Sequence, residues 1–196
     1  MDSREISLKG KLLMGGKSPV SVQTMCNTST DDIEGSVLQC RRAFEAGADV
    51  VRLTTQGLKQ VESLGKIVSI LRNDGIKIPI VADIHFLADA ALAAAKVADK
   101  VRINPGNFAK DHGVACDKFS ELMEICRNEG TAIRIGLNHG SLGERITSRY
   151  GDNSTGMKEA VMEWLRMCID RNFFNVAVSL KSSNTLVMVE AYRLLH

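Results

Sequence analysis

The sequence has few aromatic residues and prolines, and it has no strong excess of either charge. Aromatic side chains make up 5% of the 196 residues, only three prolines occur, and 25 Lys and Arg stand against 23 Asp and Glu. A net charge of +2 gives no broad basic surface, so we expect no nucleic-acid partner. With 44% apolar residues, the composition is that of a folded globular domain.

Long apolar runs and a leader pattern are also missing. No stretch reaches the ~18 consecutive apolar residues of a membrane span, and the first residues, Met1 to Glu5, lack the basic-then-apolar order of a signal peptide. We therefore expect a cytoplasmic protein with no membrane partner. The five cysteines are odd in number and show no paired spacing, which argues against a disulfide framework or a metal site. Cys126 and Cys168 lie on apolar helical faces and are expected to be buried thiols.

Six β-branched segments alternate with amphipathic helical patterns along the chain. The predicted strands are Pro19–Met25, Asp49–Thr54, Pro79–His85, Lys100–Asn104, Thr131–Leu137 and Asn175–Lys181. This alternation indicates an α/β protein with a parallel sheet. The mean repeat of roughly 31 residues is that of a (β/α)8 TIM barrel, which needs ~250 residues for eight units.

The chain is too short for eight such units. We therefore expect a partial TIM barrel of about six β/α units over residues 19–196, preceded by an N-terminal β-hairpin segment over residues 1–18. The alternative is a complete, doubly wound open sheet.

Each predicted strand has two different faces, because successive side chains point to opposite sides. One face is apolar and is expected to pack against helices: Val20, Val22, Val51, Leu53, Ile80, Ala82, Ile84, Val101, Ile103, Ile133, Ile135, Val178 and Leu180. The other face carries polar groups toward the C-terminal end of every strand: Ser21, Gln23, Arg52, Thr54, Asp83, His85, Arg102, Asn104, Arg134, Asn138, Ser179 and Lys181. In a barrel, this second face lines the lumen.

Four cations and one carboxylate lie on the lumen face toward the carboxyl ends of the predicted strands. The cations are Arg52, Arg102, Arg134 and Lys181, and Asp83 opposes them. Two like charges ~8 Å apart repel by about 2 kcal/mol at an effective dielectric of ~20, so this cluster favours an anion. Because guanidinium groups match phosphate oxygens and the cations are numerous, we expect a phosphate or diphosphate ligand at the carboxyl ends of the strands.

Further candidates lie beside these cations. His85 follows Asp83 on the same strand face and is predicted to donate to a ligand oxygen or to act as an acid or base. The segments Asn104–Asn107 and Asn138–Ser141 follow strands directly and contain glycines that let backbone N–H groups approach an anion.

Four motifs, in order, resemble the IspG (GcpE) family, the 4-hydroxy-3-methylbut-2-enyl diphosphate synthases of non-mevalonate isoprenoid biosynthesis. They are Pro19–Met25, Val81–Phe86, Val101–Asn107 and Ile133–Leu142. Segments near residues 150–157 and 183–195 are more similar to the longer subtype, which has an inserted domain between the barrel and the cluster domain.

The resemblance implies an iron-sulfur oxidoreductase whose barrel binds 2-C-methyl-D-erythritol 2,4-cyclodiphosphate and whose electrons come from ferredoxin or flavodoxin. It implies a [4Fe-4S] cluster in the full-length family, ligated by a C-terminal domain that is not present in this chain. This chain alone is therefore expected to bind no cluster and to be inactive. A homodimer is implied, because in the family the cluster domain of one subunit covers the barrel mouth of the other.

The resemblance also assigns roles to residues. It implies that the substrate diphosphate is contacted by Arg52, His85, Arg102, Arg134, Asn138 and Lys181, with His85 as the candidate catalytic residue. Gln23, Asp83 and Asn104 are expected nearby, where they would orient that set.

Two other functions remain open. A pterin-binding transferase of the dihydropteroate synthase type also gathers cations at strand ends, although a pterin pocket needs more acceptors than Asp83 alone. A non-catalytic anion-binding or assembly module would suit a sheet with an open edge after its sixth strand.

Overall fold

The computed structural model describes residues 3–84 and 86–196. Two antiparallel strands, β1 (Ile6–Leu8) and β2 (Leu12–Met14), form an N-terminal hairpin. The parallel sheet consists of β3 (Gln23–Met25), β4 (Val50–Thr54), β5 (Ile80–Asp83), β6 (Lys100–Ile103), β7 (Ala132–Asn138) and β8 (Val176–Lys181).

Strand order in this six-stranded sheet follows the chain from β3 to β8, and every neighbouring pair is parallel. A doubly wound sheet would reverse its strand order part-way and carry helices on both faces. The observed order is that of a TIM barrel, of which the described part forms six β/α units. The expected α/β partial barrel is confirmed, and the doubly wound alternative is wrong.

Seven helices connect and cover the strands in the described ranges. They are α1 (Ile33–Glu45), α2 (Leu58–Asn73), α3 (Ala88–Val97), α4 (His112–Glu129), α5 (Glu144–Tyr150), α6 (Ser154–Asp170) and α7 (Thr185–Leu195). Asp32, Asp111 and Asn153 cap the N-termini of α1, α4 and α6 by accepting backbone N–H groups. None of these helices is both long and apolar enough to cross a lipid bilayer.

The apolar strand face packs against the helix layer as predicted, with Ile133 of β7 fully buried. Phe119 of α4 and Trp164 of α6 meet edge to face in this core, with ring centroids 4.6 Å apart. Cys126 and Cys168 are buried free thiols in the same core, as their positions on apolar helical faces predicted. Helix packing therefore occupies one face of the sheet and leaves the other for the lumen.

The first predicted strand is the exception. The sequence predicted a strand over Pro19–Met25, but β3 begins only at Gln23. Val20 and Val22, expected to face helices, are 96% and 59% exposed. Within the described chain β3 pairs with β4 alone, and three residues of β3 join the ladder.

The hairpin closes the N-terminal end of the lumen. The side-chain amide of Asn175 accepts the backbone N–H of Ser7 and donates to its carbonyl oxygen, both at 2.9 Å. Lys11 forms an ion pair with the buried carboxylate of Asp99, directly before β6. A small apolar cluster joins the hairpin to lumen-facing side chains of the sheet: Ile6, Leu8, Leu12, Met14, Val50, Val81, Ala132 and Ala177.

Candidate anion-binding site

The lumen has an apolar floor and a charged layer above it. The floor consists of the strand residues that contact the hairpin, together with Lys100, whose Nζ lies 3.6 Å from Met14 Sδ. Two residues further along each strand, the side chains become charged or polar: Arg52, Asp83, Arg102, Arg134 and Ser179. We call Arg52, Asp83, Arg102 and Arg134 the arginine cluster.

Asp83 is the buried centre of the arginine cluster. Its Oδ2 accepts a hydrogen bond from Arg52 Nη2, and its Oδ1 accepts one from Arg102 Nη1 at 3.4 Å. Arg102 Nη2 also donates to the carbonyl oxygen of Gly136 at 3.2 Å. A Cβ at Gly136 would stand 2.6 Å from Arg102 Nε, so glycine at this position leaves the room that the guanidinium occupies.

Arg134 stands beside this network with no ion pair in the described structure. It lies next to Arg102 in the register of β6 and β7. Its Nε and Nη2 are buried without a hydrogen-bond partner, as are the Nε atoms of Arg52 and Arg102 and the Oγ of Ser179. A buried polar group left without a partner costs roughly 1–3 kcal/mol, so these donors need an acceptor that the described residues do not supply.

The cations of the site also destabilise one another's charged forms. Burial and then the charges of Arg52 and Arg102 lower the pKa of Arg134 to about 10, so its guanidinium is still charged at neutral pH. Burial lowers the pKa of Arg102 as well, while Asp83 acts in the opposite direction. The pKa of Lys181 is lowered by burial and by the three arginines. A bound anion would relieve all of these effects.

Lys181 and Asn138 lie at the mouth, where they end β8 and β7 opposite each other. Lys181 is exposed and Asn138 is half-buried. Together with residues 139–140 and 182–183, they line an open cavity of about 350 Å³. This cavity is at the carboxyl ends of the strands, which is where barrel proteins bind their ligands.

Asn104 joins the two loops that follow β6 and β7. Its Nδ2 donates to Ser141 Oγ at 3.0 Å, and its Oδ1 accepts the backbone N–H of Gly106 at 3.3 Å. A Cβ on Gly106 would stand only 1.8 Å from the carbonyl oxygen of Ser141, so these loops pack backbone to backbone. The Asn104 side chain is therefore engaged in positioning loops.

A family model, the GcpE TIM-barrel domain, matches residues 3–196 of the chain. The chain belongs to this family. It is 44% identical to 4-hydroxy-3-methylbut-2-en-1-yl diphosphate synthase (flavodoxin) of Bacteroides fragilis (strain YCH46), over 99% of this chain and 34% of that protein. The protein of the same name from Chlorobaculum tepidum is 43% identical over 98% of this chain and 28% of its own length. The GcpE barrel chain thus spans about a third of the length of these relatives.

Among solved structures, the dihydropteroate synthase of Xanthomonas albilineans matches the GcpE barrel with a TM-score of 0.57. The match covers 98% of this chain and 70% of the other at 13% identity, so it shows a shared fold alone. The charge pattern does not favour a pterin ligand. Asp83, the one carboxylate on the described lumen strands, is held by two arginines.

Gln23 and His85 are the two remaining predicted site residues. Gln23 is exposed. In the register of β3 and β4 it lies opposite Val50 of the floor, which is two residues before Arg52. The expectation that polar groups stand at the C-terminal end of every strand is therefore wrong for β3, which begins with Gln23 because the segment before it does not join the ladder. The predicted catalytic residue, His85, lies outside the described residues.

Two residues of the GcpE barrel lumen were missed by the sequence analysis. Lys100 lies on the same face of β6 as Arg102 but at the opposite end of the strand, so it is not among the polar residues at the carboxyl ends. Gly136 matters only because the Arg102 side chain crosses it, and no pattern in the sequence shows that contact.

The described residues do not fit an iron-sulfur cluster. Across residues 3–84 and 86–196, no group of three or more His, Cys, Asp or Glu could hold a metal ion. Cys26 and Cys40 lie with their sulfurs 3.7 Å apart in the helix-facing core, where Cys126 and Cys168 are also buried. A [4Fe-4S] cluster needs thiolates gathered around one centre, and the described residues offer no such group.

Proposed function

We propose that this barrel binds 2-C-methyl-D-erythritol 2,4-cyclodiphosphate, and that the protein at its full natural length is a 4-hydroxy-3-methylbut-2-enyl diphosphate synthase. The observation that carries the proposal is the arginine cluster, in which buried guanidinium N–H groups of three arginines have no acceptor among the described residues. With Lys181, four cations near the carboxyl ends of the described strands stand against one carboxylate, that of Asp83. The names of the relatives, which match this chain over nearly its whole length, support the same substrate.

The residues of the site divide the binding between them. Asp83 fixes the planes of Arg52 and Arg102 and leaves their Nε atoms free to donate. Arg134 offers two unused N–H groups to one phosphate. Lys181 and Asn138, which line one cavity at the mouth, would contact the other phosphate. Two phosphates held at two heights of the lumen would fix the orientation of the ring.

The reaction opens the ring reductively at a carbon–oxygen bond to phosphate. The phosphate oxygen keeps the bonding electron pair, two electrons enter the carbon skeleton, and a hydroxyl group leaves with one proton as water while a carbon–carbon double bond forms. The released phosphate oxygen gains negative charge, and guanidinium groups already fixed in place stabilise that charge as it forms. A [4Fe-4S] cluster, held by residues outside this chain, would supply the electrons. We propose His85 as the proton donor at this site, and Gln23 as a residue of its surroundings.

We propose further features for the full-length protein from the same family membership. Its electron donor is flavodoxin or ferredoxin, since the relatives are named for flavodoxin. It forms a homodimer, which brings an iron-sulfur domain over the barrel mouth. Within this chain, residues 1–18 form a hairpin segment and residues 19–196 form the substrate-binding barrel.

The proposal is tested by calorimetric titration of the cyclic diphosphate into the protein at its full natural length. Arg134→Met and Lys181→Met are each expected to weaken binding at least about tenfold, because a charge-assisted hydrogen bond contributes about 1.5–3 kcal/mol. Arg149→Met removes an exposed arginine on α5 and should leave binding unchanged. Raising the salt concentration should weaken binding to the natural protein.

Two results would contradict this function. Equal binding by the natural protein, Arg134→Met and Lys181→Met would show that the anion does not occupy the lumen. Tighter binding of a pterin diphosphate than of the erythritol compound would instead favour a pterin-dependent transferase.

A further inference from the structure

Lys100 is a buried cation with no carboxylate partner among the described residues. It is 3% exposed, and the hydrogen-bond partner of its Nζ is the thioether sulfur of Met14, at 3.6 Å. The neighbouring carboxylate of Asp99 is bonded instead to Lys11, Arg72 and the backbone N–H of Ile80. Lysine is almost never fully buried without a partner, so the burial of the Lys100 side chain is unusual.

The charges that face Lys100 are mostly positive. Arg52 on β4 and Arg134 on β7 both disfavour its charged form. On its own strand, Arg102 is bonded to Asp83 of β5, and that carboxylate is shared with Arg52. The contact from the hairpin is the uncharged side chain of Met14, while Lys11 of the hairpin is paired with Asp99. Burial, followed by Arg134 and Arg52, lowers the pKa of the Lys100 amine to about 8.

We propose that Lys100 is a further residue of the anion site, and that it takes up a proton when a diphosphate occupies the arginine cluster. The inference rests on the proposed function, since it needs an anion bound above the floor. Such an anion reverses the local field that Arg52 and Arg134 create, and it therefore stabilises the ammonium form of Lys100. At pH 8 and above, the floor of the lumen would then carry its full positive charge only when the substrate is bound.

The expected proton uptake follows from linkage. Near pH 8 about half of the Lys100 amines are neutral in the free protein, so binding should draw in up to about half a proton. Near pH 6 the amine is already charged, so Lys100 should contribute no uptake. Above pH 8 the affinity should fall as the pH rises, because each binding event must also protonate the amine.

The test is calorimetric titration at pH 8 in two buffers of different ionisation enthalpy, with the protein at its full natural length. The probe is the cyclic diphosphate, whose esterified phosphates do not titrate near this pH. The natural protein should take up a fraction of a proton, and Lys100→Met should take up none. Lys77→Met, which removes an exposed lysine before β5, should behave as the natural protein does.

A second variant distinguishes the effect of the Lys100 charge from an effect on folding. Lys100→Arg keeps a permanent cation in the floor, so it should bind the cyclic diphosphate without proton uptake and with little dependence on pH between 7 and 9. A merely structural lysine would not produce this difference between Lys100→Met, Lys100→Arg and the natural protein. If Lys100→Met does not fold, Lys100→Arg against the natural protein decides the question.

The outcomes are distinguishable. Binding by the natural protein without proton uptake would overturn the role of Lys100 and leave the proposed function standing. Uptake that persists in Lys100→Met but disappears in Lys181→Met would assign the proton to the mouth and would also overturn it. An absence of binding by the natural protein would overturn the proposed function and this inference together.

Discussion

Ile133 and Arg134 are adjacent on β7 and lie in opposite environments. Ile133 is fully buried among helices, whereas Arg134 faces the lumen with two buried nitrogen atoms that have no acceptor among the described residues. The helix-facing side of the sheet is closed by apolar packing, and the lumen side holds more positive charge than Asp83 neutralises. Apolar packing on one face and the proposed anion contacts on the other are therefore separate, so a single substitution is expected to alter one without the other.

The largest expected effect on the free energy of unfolding comes from a substitution on the helix-facing side. Ile133→Ala should lower the free energy of unfolding by about 3 kcal/mol, because it leaves a cavity in a packed core. Arg134→Met on the next residue should leave stability unchanged or raise it by about 1 kcal/mol, since a buried cation is replaced by an apolar side chain. Urea denaturation of both variants measures the difference. A comparable loss in Arg134→Met would show that the two faces are not independent.

Neutralising the lumen carboxylate of Asp83 should affect stability differently from removing one of the arginines around it. Asp83→Asn removes the charge between Arg52 and Arg102 and should lower the free energy of unfolding by about 2–3 kcal/mol, because the two buried cations lose their counter-charge. Added inorganic pyrophosphate should restore part of this loss by supplying an anion. Thermal denaturation with and without pyrophosphate tests both statements.

A surface ion pair provides the control for Asp83. Asp74→Asn breaks a pair with Arg41 in which both side chains are partly exposed, so its effect should be within about 1 kcal/mol. Its lumen is intact, so pyrophosphate should stabilise it only as much as it stabilises the natural protein. If pyrophosphate stabilises Asp83→Asn no more than Asp74→Asn, the anion does not replace the charge of Asp83.

The division of the sheet into two faces was predictable from the sequence, because the period of a strand is two residues. The same rule placed Arg52, Arg102 and Arg134 on the lumen side, where the structure finds them together. It was wrong for Val20 and Val22, because an alternating pattern does not show whether a helix covers the segment. The role of His85 stays a prediction.

Other features of the site depend on contacts between distant parts of the chain. The pairing of Asp83 with two arginines follows from the register of three strands, which no local pattern encodes. The environment of Lys100 depends on the hairpin, whose Met14 is 86 positions away in the sequence. A strand pattern predicts that Lys100 faces the lumen, but only the fold shows that its amine is buried there.

The smallest expected effect on stability comes from Lys100→Met, which compares the floor of the lumen with the charged layer above it. The pKa of Lys100 is lowered from an ordinary value of 10.5 to about 8, so below pH 8 the amine is charged in both the folded and the unfolded protein. Lys100→Met should then be more stable than the natural protein by about 1 kcal/mol at pH 7, since it removes a buried unpaired charge.

Between pH 8 and 10.5 the unfolded chain binds more protons at Lys100 than the folded protein does. The stability of the natural protein should therefore rise with pH relative to Lys100→Met, and the advantage of the variant should shrink as the pH passes from 7 to 9.5. Urea denaturation at the two pH values measures this change. A constant difference in the free energy of unfolding would mean that Lys100 keeps the same charge from pH 7 to 9.5. The contrast between an apolar floor and a charged layer would then not apply to Lys100.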